Sequence, residues 1–233
     1  MLAHRIIPVM LQRGSTLVKG RQFNSWRSVG HAQQAVAIHQ ARGVDELIYL
    51  DIGATPEGRG PDLENVRRLT AGCFMPITVG GGVRSMADVR GLLEAGADKI
   101  AIRTAGPKLI EEAARVVGCQ AIVAALDVRP EDYPTAWRKA RELADAGAGE
   151  ILLTSVEREG MMEGYDLELI HSVSTVVDVP VIAHGGAGTY AHLADAIHAG
   201  ASAVAAGSMF QFTDQTPREA AQYLHINGIE ARV

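Results

Sequence analysis

Short apolar runs alternate along the chain with segments whose apolar positions recur every three to four residues. The runs are Arg5–Met10, Glu46–Asp51, Ile77–Val79, Lys99–Ile102, Ala121–Asp127, Glu150–Thr154, Val181–Ala183 and Ala203–Ala206. They are too short for helices and read as buried strands. Helical patterns fill the intervals at His31–Arg42, Leu63–Ala71, Met86–Ala95, Leu109–Val117, Ala136–Ala146, Leu167–Val176, Ala191–Ala199 and Pro217–Asn227. Eight βα units without a linker or low-complexity segment predict an α/β protein, a single (β/α)8 TIM barrel over residues 1–233. An open doubly wound sheet is the other arrangement that such alternation allows.

A repeat favours the barrel. Pro76 through Gly82 lines up with Pro180 through Gly186 at a constant offset of 104 residues, and Gly43–Asp51 lines up with Gly147–Ser155 at the same offset. A unit this long is no solenoid repeat; it implies two similar half-barrels. Strand one aligns with strand five at a different offset, 116 residues, so Leu11 stands where the other half has Asp127. The segment after strand one is therefore 12 residues longer than its counterpart. That segment, Gln12–Gly30, is polar and carries Lys19, Gly20, Arg21 and Arg27. It reads as a mobile loop able to close over the mouth on an anion, or as a solvated surface loop.

Composition narrows the function. The length of 233 residues and 47% hydrophobic content suit one barrel with a sizeable core. A net charge of −5 argues against a general nucleic-acid binder. No apolar run reaches membrane-spanning length, and Met1–Arg5 lacks a signal-peptide pattern, so a cytoplasmic protein is expected. Cys73 and Cys119 fit no metal spacing and read as buried thiols; neither metal nor cofactor is expected.

In a barrel of this kind the chemistry sits at the C-terminal strand ends. The polar residues expected there are Gln12, Asp51, Thr78, Arg103, Asp127, Thr154 and His184. Asp127 follows the apolar run Ala121–Leu126, so a low-dielectric floor beneath it would raise its pKa and suit acid–base work. A helix cap or a salt bridge is its structural alternative. Gly80-Gly81-Gly82, Gly185-Gly186 and Gly207-Ser208 end strands with bare amides, which can form phosphate cups or merely tight turns.

Several longer strings carry a family resemblance. They include Met1-Leu2-Ala3 with Arg5-Ile6-Ile7-Pro8, Val18-Lys19-Gly20, Leu50-Asp51-Ile52, Thr78-Val79-Gly80-Gly81-Gly82, Ala95-Gly96-Ala97-Asp98-Lys99, Gly147 through Ser155, and Gly164 through Leu169. Over nearly the whole length the chain resembles the HisF cyclase family of imidazole glycerol phosphate synthase. The related HisA isomerases share the barrel and the half-repeat but not these strings. The resemblance implies a heterodimer with a HisH-like glutaminase docked on the bottom of the barrel. Ammonia would pass through the barrel centre to a phosphorylated small-molecule acceptor. It implies that Arg5, Glu46, Lys99 and Glu150 form a charged gate, with Asp98 and Gln120 on the glutaminase-facing side. Ordinary stabilising salt bridges are the alternative for those four charges.

By the same resemblance one phosphate cup comprises Gly160, Gly186, Gly207 and Ser208, and the other Gly82 and Thr104, with Arg103 in place of an asparagine. The guanidinium could grip a phosphate or fill the cup. Lys19, Asp51, Thr78, Asp127 and Thr154 are retained as catalytic residues. Three departures stand out: Leu11 replaces the first catalytic aspartate, Glu159 a later aspartate, and His184 a serine. The glycine-rich hairpin after strand five is shortened to Val128–Pro134. The pattern resembles HisF-like paralogues associated with amidation of bacterial surface sugars, which sets lipopolysaccharide biosynthesis beside histidine biosynthesis as the expected pathway. An ammonia-channelling synthase subunit is thus expected. A true cyclase using Asp127 alone, and a conduit that only activates its glutaminase, are the alternatives. An isomerase is weakest, because that chemistry wants two opposed carboxylates.

Overall fold

Strand β1 (Arg5–Arg13) is the seam on which the sheet closes. Its first residues pair in parallel with β10 (Ala203–Ala206), and Val9–Gln12 pair in parallel with β4 (Leu47–Asp51). Between those neighbours the sheet runs through β5 (Ile77–Gly80), β6 (Lys99–Ile102), β7 (Ile122–Val128), β8 (Glu150–Ser155) and β9 (Val181–His184). The computed structural model, which describes residues 3–103 and 105–231, is thus a closed eight-stranded parallel (β/α)8 barrel. Closure through β10–β1 rules out the open sheet. Helices α1 (Ala32–Ala41), α2 (Leu63–Thr70), α3 (Met86–Glu94), α4 (Gly106–Val117), α5 (Tyr133–Asp145), α6 (Leu167–Ser174), α7 (Tyr190–His198), α8 (Ser208–Phe212) and α9 (Pro217–Ile226) complete the units.

Side-chain alternation builds two separate cores. Residues such as Leu47, Tyr49, Ile100, Ile102, Ile151 and Leu153 face the helices. Their neighbours Ile48, Ala101, Leu152, Ile182, Ala203 and Ala205 fill the barrel interior with Ile7 and Val9. A period of two is what a strand with both faces buried requires. Local chemistry starts the helices. Ser85 and Asp88 form a capping box on α3, as do Thr216 and Glu219 on α9. α4 and α5 begin three residues before the expected Leu109 and Ala136, because Pro107 and Pro134 sit in the first turn, where a missing N–H costs nothing.

The half-repeat survives in the register. Leu47 pairs with Ile77 and Ile151 with Val181; Thr78 pairs with Lys99 and Ile182 with Ala203. Leu11 pairs with Leu50 as Asp127 pairs with Thr154, so Leu11 does occupy the position equivalent to Asp127.

The segment Gln12–Gly30 is not a loop. β1 continues to Arg13 and pairs antiparallel with β2 (Thr16–Arg21), which pairs with β3 (Asn24–Gly30). Leu17 and Val18 supply a buried apolar centre within this otherwise polar stretch. The hairpin tip is pinned to the other half-barrel: Gln22 donates from its backbone N to the Glu159 carbonyl at 2.8 Å and from Nε2 to the Glu157 carbonyl at 3.0 Å. Farther along β3, the Arg27 guanidinium lies 3.9 Å above the Phe212 ring. Among the described residues no helix is long and apolar enough to cross a membrane.

Candidate active site

The C-terminal strand ends surround a cavity of about 400 Å³. Leu11, Leu50, Asp51, Gly82, Arg103, Asp127, Thr154 and His184 line it from the barrel, and Phe23 and Trp26 reach it from the hairpin. Its electrostatics centre on Asp127. Burial pushes the carboxyl pKa up; the charge and hydrogen bond of Arg103, a Thr154 hydrogen bond and Arg129 oppose that rise. The Arg103 guanidinium donates to Asp127 Oδ2 at 2.9 Å and is itself half exposed. Thr154 Oγ1 lies 3.1 Å from His184 Nδ1. Burial, with help from the Lys19 charge, lowers the His184 pKa to about 3, so the ring is neutral at ordinary pH.

Asp51 is fully engaged. Arg59 clamps it at 2.7 and 3.1 Å, and the Gly53 and Ala54 amides donate to it at 3.1 and 3.2 Å. It shapes the turn after β4, and Gly81 is required beside it because a Cβ there, at φ +112°, would overlap the Asp51 carbonyl.

Three expected placements are corrected. Thr78 is the second residue of β5, two positions below the strand end; its hydroxyl faces Glu46 Oε1 at 3.4 Å on the barrel floor, not the mouth. Lys19 is buried on β2 and donates to the Val9 carbonyl at 2.8 Å; it does not line the cavity. Burial lowers its pKa to about 8, and the nearby Glu159 carboxylate pulls the other way. The two glycine cups are not equivalent either. Gly82 opens on the cavity beside Arg103, whereas Gly160, Gly186, Gly207 and Ser208 do not line it. The hairpin covers that second cup: a Cβ on Gly207 would overlap Lys19 Nζ, and one on Gly160 would overlap the Gly20 carbonyl. Ser208 Oγ is buried there without a hydrogen-bond partner, and so is Glu159 Oε2. Thr104 lies outside the described residues.

At the opposite end four charges close a ring. Arg5 donates to Glu46 at 2.6 Å and to Glu150 at 2.7 Å; Lys99 Nζ reaches the same two carboxylates at 3.0 Å each. Each cation bridges both anions, so the ring is neutral and every charge has two partners. Burial works against the Arg5 charge, but Glu46 and Glu150 outweigh it and raise its pKa. Above the ring the interior is apolar as far as the mouth. Asp98 accepts from the Ile77 amide at 2.8 Å on the bottom face, and Gln120 sits in the exposed turn Cys119–Ala121 before β7.

Residues 5–216 match the model of the family described as histidine biosynthesis protein. The chain belongs to that family. The histidine biosynthesis family unites the HisA and HisF barrels, which are isomerases and cyclases. In barrels of this kind the chemistry sits at the mouth. Membership leaves this chain's departures at Leu11, Arg103 and His184 to be read from geometry.

Phe23, Trp26 and Arg59 escaped sequence reasoning. Arg59 sits in a connection eight residues after Asp51 with no spacing that predicts the clamp. The aromatic pair enters the mouth only because the hairpin folds. The ring also has a measurable structural role. Arg5→Met should destabilise the fold by about 2–4 kcal/mol in urea unfolding, because Lys99 alone would be left to balance two largely buried carboxylates. A smaller loss than in an exposed-pair control, such as Arg67→Met, would show that the ring contributes nothing to stability.

Proposed function

We propose that this chain is the synthase subunit of a glutamine-dependent amidotransferase. A HisH-like glutaminase would dock on the bottom face, and ammonia would travel through the barrel to a phosphorylated or sugar-linked acceptor at the mouth. The observation that carries this reading is the Arg5–Glu46–Lys99–Glu150 ring beneath an apolar interior. An isolated ammonium ion cannot cross such an interior without a large desolvation cost, whereas neutral ammonia can. A ring that closes by ion pairs alone can open when one side chain swings away. Phe74, 85% exposed on the connection between α2 and β5, adds an apolar contact on the same face for a docked protein.

Titration against the HisH-like glutaminase of the same organism tests the reading, with glutamate release as the readout. Complex formation at micromolar concentrations and stimulated hydrolysis are expected. Lys99→Met should leave docking intact while reducing the fraction of ammonia that reaches the mouth, measured as release of ammonia to bulk solvent per glutamine hydrolysed. No complex with any encoded glutaminase would sink the proposal.

A further inference from the structure

The two half-barrels differ in chemistry along one line of register. Asp127, Thr154 and His184 are direct neighbours on β7, β8 and β9. Their counterparts on β1, β4 and β5 are Leu11, Leu50 and Gly80, which are also direct neighbours. Every polar group of this line therefore lies on one side of the mouth, and the other side is alkyl or bare.

Thr154 stands between its polar neighbours: it is the direct register partner of Asp127, and its Oγ1 lies 3.1 Å from His184 Nδ1. A hydroxyl has one proton to donate, and an ionised carboxylate can only accept. Arg103, 2.9 Å from Asp127 Oδ2, favours the ionised form. When Asp127 is ionised, the Thr154 proton is drawn toward it, and Thr154 Oγ1 is then left to accept from the N–H of His184 Nδ1. In a neutral ring this leaves Nε2 with a free lone pair on a residue that lines the cavity.

We propose that Asp127, Thr154 and His184 form one proton relay across the mouth, with His184 Nε2 as the base. The proposal rests on reading the mouth as the place where ammonia meets its acceptor. As the ammonia nitrogen adds to a carbonyl carbon of the acceptor, the C=O π pair moves onto the carbonyl oxygen, which takes a proton from water at the mouth, and Nε2 takes one proton from the nitrogen. Nδ1 passes its own proton to Thr154 Oγ1, and Thr154 passes its original proton to Asp127. The nitrogen ends one proton lighter, His184 ends as the other neutral tautomer, and Asp127 ends as a carboxylic acid. It later returns its proton to water at the mouth.

No imidazolium forms at any stage. That fits a ring whose protonation is suppressed by burial and by the Lys19 charge on β2, with a pKa of about 3. Asp127 suits the receiving end because burial already raises its affinity for a proton. Arg103 opposes that transfer while it stays on Asp127, but it is half exposed and makes a single contact there. An anionic group of the acceptor near Gly82 would draw the guanidinium off and leave the carboxylate a stronger base.

Nitrogen-15 NMR of the full-length chain near pH 7 reads the tautomer directly. The wild-type His184 ring should be in the Nδ1–H form. Thr154→Val removes the hydroxyl with little change of shape and should invert the population toward Nε2–H, the form preferred by free imidazole in water. Thr154→Ser should restore the wild-type tautomer. Should Thr154→Val fail to fold, Asp127→Asn provides the second arm: it removes the acceptor charge and should weaken the Nδ1–H preference. A wild-type ring in the Nε2–H or charged form overturns the relay, and so does a tautomer indifferent to these changes. The measurement needs neither glutaminase nor acceptor, so its failure is distinguishable from failure of the partner titration.

Discussion

Acidification from pH 7 to about pH 4.5 should remove roughly 5 kcal/mol of folding stability through two buried histidines, His39 and His184. His39 packs inside α1 with Nδ1 unpartnered. Burial lowers its pKa to about 4, and Arg42 and Lys19 add to the effect. The His184 value is about 3. Both rings stay neutral in the folded chain, while in the unfolded chain they titrate near the ordinary value of about 6.5. Between that value and the folded pKa the unfolded state binds more protons, so stability falls as pH falls through the window. At about pH 4.5 each histidine lies about two units below its unfolded value, or about 2.7 kcal/mol. Asp127 and Glu159, both raised by burial, work in the opposite direction. The decisive quantity is thus the difference between variants. His39→Phe keeps an aromatic ring in the helix and removes one titration, so urea unfolding at both pH values should show about half of the histidine-linked loss. Equal acid losses in wild type and variant would dismiss His39 as a source.

How much of this was legible in the residues follows from period and position. The floor ring could be read because Arg5, Lys99 and Glu150 each begin an apolar strand and Glu46 immediately precedes one, and alternation then points all of them inward together. The equivalence of Leu11 and Asp127 could be read because the repeat offset carries the register. Thr78 misleads because the apolar run Ile77–Val79 reads as the whole strand, which sets Thr78 near its end. β5 continues to Gly80, which lowers Thr78 to the level of Lys99, its register partner. Lys19 misled for another reason. A lysine in a polar stretch is normally solvated, and its burial here depends on a hairpin built around Leu17 and Val18 and on the missing side chain of Gly207. The Arg103–Asp127 and Thr154–His184 contacts join side chains from neighbouring βα units, 24 and 30 residues apart, and only the closed barrel sets them side by side.

The largest effect is expected in the assay for histidine-pathway cyclisation. The resemblance to HisF cyclases implies a mouth with carboxylates on both sides, so that one can take a proton while the other gives one. Here Leu11, buried and in register with Leu50, occupies one of those sides. General acid–base catalysis by one positioned group is worth on the order of 10² to 10⁴ in rate. Turnover of the bis-phosphorylated aminoimidazole precursor with an ammonium salt should therefore fall at least about 100-fold below that of an authentic cyclase. The deficit should persist at high pH, where free ammonia is abundant. Leu11→Asp alone should recover little. The new carboxylate would enter a cluster of Val9, Val18 and Leu50, and a charge buried there without a partner neutralises or destabilises the fold. Loss of precursor absorbance with the purified chain is the direct measurement; turnover comparable to an authentic cyclase would return the protein to histidine biosynthesis.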